Sequence, residues 1–470
     1  MLGAGINVVP IMLQRNVPGI GAWVLPAYAF SAIPAVLAAI VYAMLASAMP
    51  RAGGSYVYAS RALGPYWGFA ASFSQWFGLS IVTGVVAYLI IPFVRDVADA
   101  VGWDSVAAAL ETGVVRVTLS LAILWTFVWV NLRGVKVYER TLVPLMFLMF
   151  ALGAIVIVAG FSFDHADFAA AVLEREGAIL TDAPPQPFRL GTFLAASALL
   201  FSSFIGFDAI AQAGGEAKNP NRALPLAIGI AVLTVGTFYL LFSGAVYHAV
   251  PWPFMVERAQ MQDLTAPGLL GYLLPAGWTV AIVAGAAIAL TNDLPAMLLS
   301  VSRLMFAWGE DGIFPKIVTR VHPTWHSPYV AIVLSGLIAS LGILGSHLAG
   351  DFFLGIDILV TAMLVNFLVM CMAVLWLPRR NPEIASDMGV LRSRPAQVAV
   401  AGTALALLVV LLVVHVSKDV TADLAGWYFH STYLWLIVMA LASAIYLREM
   451  RKLRASGADT DALFNTLPPE

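Results

Sequence analysis

The chain has 470 residues, 61% of them hydrophobic and only 11% charged, with a mean hydropathy of +0.88. Soluble domains run about 45–50% apolar and about 25% charged, so this composition excludes a soluble globular protein and a disordered chain. The formal net charge of −2 offers no basic face to phosphates, which excludes a nucleic-acid binder, and the single cysteine, Cys371, excludes a disulfide framework or a cysteine-built metal site.

A helix that crosses a bilayer needs roughly 20 apolar residues, and about 17 at the least. Met1 to Gln14 is apolar but shorter than that, and Gly3, Gly5 and Pro10 interrupt it. It lacks the basic start of a signal peptide. It is expected to be the second half of a span whose first half lies ahead of Met1.

Charge-free stretches then predict eleven complete spans. The first five lie between Arg15 and Arg51, Arg61 and Arg95, Arg116 and Arg133, Arg140 and Asp164, and Arg189 and Asp208, the last with apolar sequence on to Glu216. The next three run from Arg222 to Glu257, from Asp263 to Asp293 with apolar sequence on to Arg303, and from Arg320 to Asp351. The final three run from Asp357 to Arg379, Arg394 to Lys418 and Asp423 to Arg448. Asp357 is expected near the outer end of its span, in contact with water. His248, His347 and His415 are expected to be solvated at span ends. Residues 162–190 are polar, with Pro184–Pro185, and leave room for a short helix but no core. The tail from Ala455 to Glu470 reads as disordered.

Basic residues set the orientation. Alternate loops and the tail hold Arg51, Arg61, Arg133, Lys136, Arg140, Lys218, Arg222, Arg303, Lys316, Arg320, Arg379, Arg380, Arg392, Arg394, Arg448, Arg451, Lys452 and Arg454. The other side holds only Arg15, Arg95, Arg116, Arg175, Arg189, Arg258 and Lys418. Eighteen against seven, from a total of 25, puts the first set and the C-terminus in the cytoplasm of a cell bounded by this membrane.

Against an apolar background the polar exceptions carry the information. Two spans are interrupted by glycine, at Gly3-Ala4-Gly5-Ile6-Asn7 and at Phe201-Ser202-Ser203-Phe204-Ile205-Gly206-Phe207-Asp208. A helix broken at mid-membrane leaves amides and carbonyls unpaired, which is tolerable only where they line a cavity. Such half-helices bind a zwitterion: the N-terminal end attracts a carboxylate and free carbonyls accept from an ammonium. Small residues at a helix contact give the same local pattern. Two such breaks, five spans apart, favour a binding cavity.

Asp208 and Asp293 stand within apolar sequence, where a carboxylate costs at least about 2.5–3.5 kcal/mol. Asp208 reads either as the acceptor for free amides at the break or as a proton-coupling group. Thr291-Asn292-Asp293 is a cluster of oxygen ligands for Na⁺ or a proton, or for a neighbouring helix. Asn7 and Gln75 are weaker candidates. The sequence has no H-E-x-x-H, no G-x-S-x-G and no G-x-x-x-x-G-K-[ST], and no cofactor or metal site is implied.

Several segments, in order, resemble the amino acid–polyamine–organocation transporter superfamily. They are Gly3-Ala4-Gly5-Ile6 with Pro10, Met49-Pro50-Arg51-Ala52-Gly53-Gly54-Ser55-Tyr56 with Ala62-Leu63-Gly64-Pro65, and Asn131-Leu132-Arg133-Gly134. Phe204-Ile205-Gly206-Phe207-Asp208-Ala209-Ile210, with Glu216-Ala217-Lys218-Asn219-Pro220 and Pro225, is similar to its cationic amino acid transporter branch. Ser302-Arg303, Asp311-Gly312, Pro315 and Arg379-Arg380-Asn381-Pro382 extend the match.

The resemblance implies an all-α polytopic membrane protein with five-plus-five inverted repeats and two extra helices, about 12 spans with the first one truncated. The implied units are a first repeat at 1–163, an extracellular loop at 164–190, and a second repeat at 191–378. A cytoplasmic loop at 379–394, two helices at 395–448 and a cytoplasmic tail at 449–470 complete the chain. The implied activity is secondary transport of amino acids across the cytoplasmic membrane by alternating access, coupled to H⁺ or Na⁺ or run as exchange. A sensor or facilitator of amino acids or polyamines on the same fold is the alternative, and an enzyme is not implied. By resemblance the substrate carboxylate meets the amides of Ala4, Gly5 and Ile6, with Gly3 beside them in the substrate site. Its ammonium meets carbonyls of Ser202, Ser203 and Ile205, with Phe204 and Gly206 also in the substrate site. Thr291 falls near hydroxyl ligands of sodium-coupled relatives, with Asn292 and Asp293 beside it. Where relatives carry an occluding aromatic this chain has Ser202, and Phe201 stands one residue earlier as the expected gate. The fifth helix, within Thr141–Phe161, lacks the lysine of some proton-coupled relatives. The identity of the substrate and the oligomeric state are left open.

Overall fold

With no water inside a bilayer, backbone groups must bond within their own helix. The described residues accordingly form helices and turns and no strand. The computed structural model describes residues 5–51, 53–134, 136–180, 184–212 and 219–467, with the backbone alone for 136–143 and 461.

In chain order the helices begin with α1 (Gly5–Asn16), α2 (Val24–Ala48), α3 (Ser55–Leu63), α4 (Pro65–Ala100) and α5 (Asp104–Glu111). Then come α6 (Gly113–Leu132), α7 (Lys136–Ser162), α8 (His165–Glu176), α9 (Leu190–Leu200) and α10 (Phe207–Gln212). The second half holds α11 (Pro220–Ala249), α12 (Trp252–Ala259), α13 (Ala266–Leu270), α14 (Ala276–Glu310) and α15 (Tyr329–Ala349). It ends with α16 (Phe353–Arg380), α17 (Pro382–Ser386), α18 (Arg394–Thr421), α19 (Ser431–Ala455) and α20 (Thr460–Asn465). Among the described residues eleven helical stretches are long and apolar enough to cross a membrane, and each falls on one of the predicted spans. Several overrun the charges that bounded the expectation: α4 continues past Arg95 and α6 begins before Arg116. Within 162–190 the short helix is α8, capped by the Asp164 carboxylate, which accepts from the amides of Ala166 and Asp167 at 2.8 and 3.0 Å. Those donors hold the Asp164 carboxyl below the usual carboxylate range.

Burial sorts the spans into core and rim. The most apolar window of α4 is 94% buried, while those of α6, α7 and α19 are 22% buried. α4 is the central column, packed by α14, α15 and α16. Glycine makes that packing possible. A Cβ at Gly84 would sit 1.8 Å from the carbonyl oxygen of Ala339, and one at Gly342 would sit 2.2 Å from that of Ile81. α4 and α15 therefore touch backbone to backbone, as helices in lipid do where small residues meet.

The expectation of a disordered tail is corrected. α20 docks on the bundle, with Phe464 only 1% exposed. Arg61 of α3 reaches it: Nε donates to the Thr466 carbonyl at 3.0 Å and Nη2 to that of Leu463 at 3.4 Å. The same guanidinium pairs with Asp311 at 3.3 Å. Asn381 adds a bond to the Asn465 carbonyl at 2.8 Å. Local polarity concealed this, because the partners of the tail lie 84 to 405 residues away. Removing a buried phenyl ring costs about 3–5 kcal/mol. Phe464→Ala is therefore expected to free the segment after Ala455, read as rapid tryptic cleavage after Arg454. Wild-type resistance in that variant would show the contact to be incidental.

Candidate functional site

The second glycine-marked break is present in the structure. α9 ends at Leu200, tightens into a 3-10 turn over Phe201–Phe204 and goes extended at Ile205, with φ −67° and ψ 143°. Gly206 follows at φ +128°, a region L side chains rarely occupy, and α10 starts at Phe207. The regular helix bonds lapse here. Instead the Ile205 amide bonds the Ser202 carbonyl at 3.2 Å, and Ser202 Oγ donates back to the Leu199 carbonyl at 2.6 Å.

A cavity with about 170 Å³ of space for water opens beside this break. Gly5 at the start of α1, with Ser202, Ser203, Ile205 and Gly206, lines it. Asp208 and Asp293 also face it. Ile6 and Phe204 do not line this cavity: Ile6 is 3% exposed, and Phe204 packs on Tyr28 with ring centres 5.3 Å apart. The expected gate, Phe201, is not in the lining either. It is fully buried against Phe367, with ring centres 5.8 Å apart. Gly3 and Ala4 lie outside the described residues, as do Ala52, Glu216, Ala217 and Lys218 of the motifs.

Asp208 is 1% exposed and fully engaged. Oδ1 accepts the Gly206 amide at 2.9 Å, and Oδ2 accepts Nε2 of Gln75 from α4. Gln75 Oε1 in turn accepts from Ser55 Oγ of α3 at 2.5 Å. This relay fixes the strained glycine to the central column. Gln75 is the link; an uncharged amide deep in an apolar run was the signal for it. Ser203 Oγ is buried beside the Tyr28 hydroxyl, and neither group makes a well-formed hydrogen bond among the described residues.

The three residues of the oxygen cluster separate. Asp293 lines the cavity, but Thr291 and Asn292 do not. Thr291 Oγ1 donates to the Ala287 carbonyl of its own helix at 2.7 Å. Most of the remaining lining is aliphatic and was not anticipated: one face of α4 carries Leu79, Val82, Val86 and Leu89, and α16 adds Ile356 and Leu359. Among the described residues no group of three or more His, Cys, Asp or Glu is placed to hold a metal.

At the end of the bundle away from α3 and α20, α1 is held by ions. Arg15 pairs with Asp263 at 3.2 Å and with Asp351 at 3.1 Å, and Arg116 of α6 reaches Asp263 at 2.7 Å. Burial pushes the Asp351 carboxyl up from the usual range, and the Arg15 guanidinium pulls it back. Nearby, Asp357 stands close to the outer end of α16 and is half-buried, with part of its side chain exposed. One expectation is corrected: His415 is 2% exposed, with Nε2 3.1 Å from the Asp357 carbonyl. α18 packs along α16 there, which covers the histidine.

Residues 1–442 match the model of a family described as amino acid permease. A cationic amino acid transporter 4 from Mus musculus is 36% identical over 155 residues, 33% of this chain and 24% of the relative. The branched-chain amino acid permease BcaP of Bacillus subtilis (strain 168) is 32% identical over 210 residues, 43% of this chain and 42% of the relative. The low-affinity putrescine importer PlaP of Escherichia coli (strain K12) is 26% identical over 315 residues, 66% of this chain and 62% of the relative. The chain thus matches less than two thirds of the length of each.

Proposed function

We propose that this chain, which belongs to the amino acid permease family and so to the amino acid–polyamine–organocation superfamily, is a secondary amino acid transporter of the cytoplasmic membrane. The observation that carries this is the cavity beside a broken membrane helix, with Gly5, Ser202, Ser203 and Gly206 around it. The N-terminal end of α1, at Gly5, supplies partial positive charge for the substrate carboxylate. Carbonyls at Ser202, Ser203 and Ile205 receive the ammonium. The Ser203 side chain, in the lining next to Gly5, supports a polar ligand at this point.

In this reading residues 1–163 and 191–378 are inverted repeats, and the broken helices move against the column built on α4. The end bearing α3 and α20 is cytoplasmic, with the C-terminus inside. The ion cluster at Arg15 is the outer closure. Asp293 is the coupling carboxylate for H⁺ or Na⁺, and Asp208 is the acceptor that holds the break. No covalent chemistry is assigned to the protein.

Uptake into proteoliposomes under imposed pH or Na⁺ gradients tests this. Accumulation above equilibrium supports active transport; flux that only dissipates a gradient makes the protein a facilitator; binding with no flux makes it a sensor. Asp208→Asn is expected to lower the rate several-fold and leave the pH profile of uptake in place. An asparagine keeps one acceptor for Gly206 but presents an N–H to Gln75, whose own oxygen is held by Ser55. Asp293→Asn is expected to flatten the pH or Na⁺ dependence. A flattened profile in Asp208→Asn would transfer the coupling role to that residue.

A further inference from the structure

We infer that the site takes neutral amino acids with aliphatic side chains and rejects those whose side chain ends in a positive charge. This rests on the reading of the cavity as the substrate site and deepens it. The lining has two ends of opposite character. One end is the broken backbone, with Gly5, Ser202, Ser203 and Gly206. It offers dipoles and a hydroxyl, which suit an α-carboxylate and an α-ammonium. The other is a wall built on α4 and α16. On α4, Leu79, Val82, Val86 and Leu89 recur at helical spacing, so one face of the central column presents only aliphatic side chains. Ile356 and Leu359 stand one turn apart on α16 and extend the same surface.

A ligand held by its backbone at the polar end projects its side chain onto this wall. Branched and straight aliphatic side chains gain from that burial. A terminal ammonium or guanidinium there would lose its water without a partner, and desolvated charge is the costliest thing to bury. The two carboxylates of the lining do not change this balance. Asp208 has both oxygens committed, to the Gly206 amide and to Gln75. Asp293, which α14 contributes to the same lining, is not without a partner of its own. Among the relatives the named substrates include branched-chain amino acids, cationic amino acids and putrescine. The wall selects the first class for this chain.

The test uses the full chain in proteoliposomes, with labelled leucine counterflow and unlabelled leucine, valine, alanine, lysine, arginine and putrescine as competitors. Leucine is expected to compete at concentrations at least about tenfold below alanine, since each methylene in an apolar pocket is worth about 10- to 200-fold. Lysine, arginine and putrescine are expected to compete at least about a hundredfold more weakly than leucine, as follows from the unpaired charge at the wall. Binding of the same compounds, read as the upward shift of the melting temperature of the purified protein, gives a second measurement independent of flux. Leu359→Asp is expected to bring lysine into competition and to weaken leucine.

Lysine or putrescine matching leucine in the wild type overturns the substrate class. So does loss of a lysine signal in Asp293→Asn, which would show a cation bound by that carboxylate. If no amino acid of either kind competes or shifts the melting temperature, the class survives nowhere and the reading of the cavity as a substrate site fails with it.

Discussion

Gly206→Leu is expected to abolish uptake while leaving the protein folded and monodisperse in detergent. The two effects of the change differ in size. Gly206 holds φ at +128°. An L residue forced into such a region costs on the order of 1–3 kcal/mol, against a total stability of about 5–15 kcal/mol for a typical fold. Ten of the eleven spans do not contain this position, so folding survives. Function does not, because the isobutyl group enters a cavity of only about 170 Å³ that Gly206 itself lines. The turn also loses its alignment with Asp208, which accepts the Gly206 amide at 2.9 Å. Gly206→Ala separates the contributions: it adds strain with little volume, and is expected to retain a measurable fraction of uptake. Wild-type transport by Gly206→Leu would remove the break from the substrate path. Aggregation of Gly206→Leu alongside a folded, inactive Gly206→Ala would assign the defect to backbone strain.

What could be read in advance follows from the solvent. A bilayer penalises charge so heavily that the gaps between Lys, Arg, Asp and Glu traced all eleven spans, and one overrun falls where charges find partners. Arg95 lies inside α4 because it is paired with Asp96 and Glu111, at 2.6 and 2.5 Å. The break at Gly206 was legible because a positive φ has few residues to serve it. The wall of the cavity was not legible. Val82 and Leu89 face a ligand-sized space, while Leu337 and Leu341 on α15 are exposed on the rim, and nothing in an aliphatic side chain records which of the two it meets. Periodicity fails when both faces of a helix are apolar. The same blindness hid the place of Phe201, whose ring packs edge to face against Phe367. The ion cluster at the far end was seen only as scattered loop charges, since Arg15, Arg116, Asp263 and Asp351 meet through folding and not through sequence.

That cluster leads to the second large effect. Asp263→Asn is expected to loosen the closure at the Asn16 end of α1 and expose the cavity from that side. Asp263 serves Arg15 through Oδ1 at 3.2 Å and Arg116 through Oδ2 at 2.7 Å. Asparagine removes the charge both guanidinium groups depend on and turns one acceptor into a donor. Breaking a buried pair by removing one partner costs about 3–5 kcal/mol. The side chains here are 11–18% exposed, which places the effect near the lower end through partial screening. About 3 kcal/mol corresponds to a shift of roughly a hundredfold between closed and open forms. Arg15 keeps Asp351 and the Ala259 carbonyl, so α1 is loosened and not lost. The measurement is labelling of a Val9→Cys reporter, on the α1 lining of the cavity, by a membrane-impermeant thiol reagent in a Cys371→Ala background. Labelling is expected to accelerate strongly with Asp263→Asn and to stay unchanged with Glu176→Gln, which weakens the Arg258–Glu176 pair between α12 and α8 and alters the acceptor of the Tyr272 hydroxyl, both away from Asp263. Equal labelling with and without Asp263→Asn would show that the cluster is a static brace; equal acceleration by Glu176→Gln would make the response a general loosening of that face and not the opening of a closure at α1.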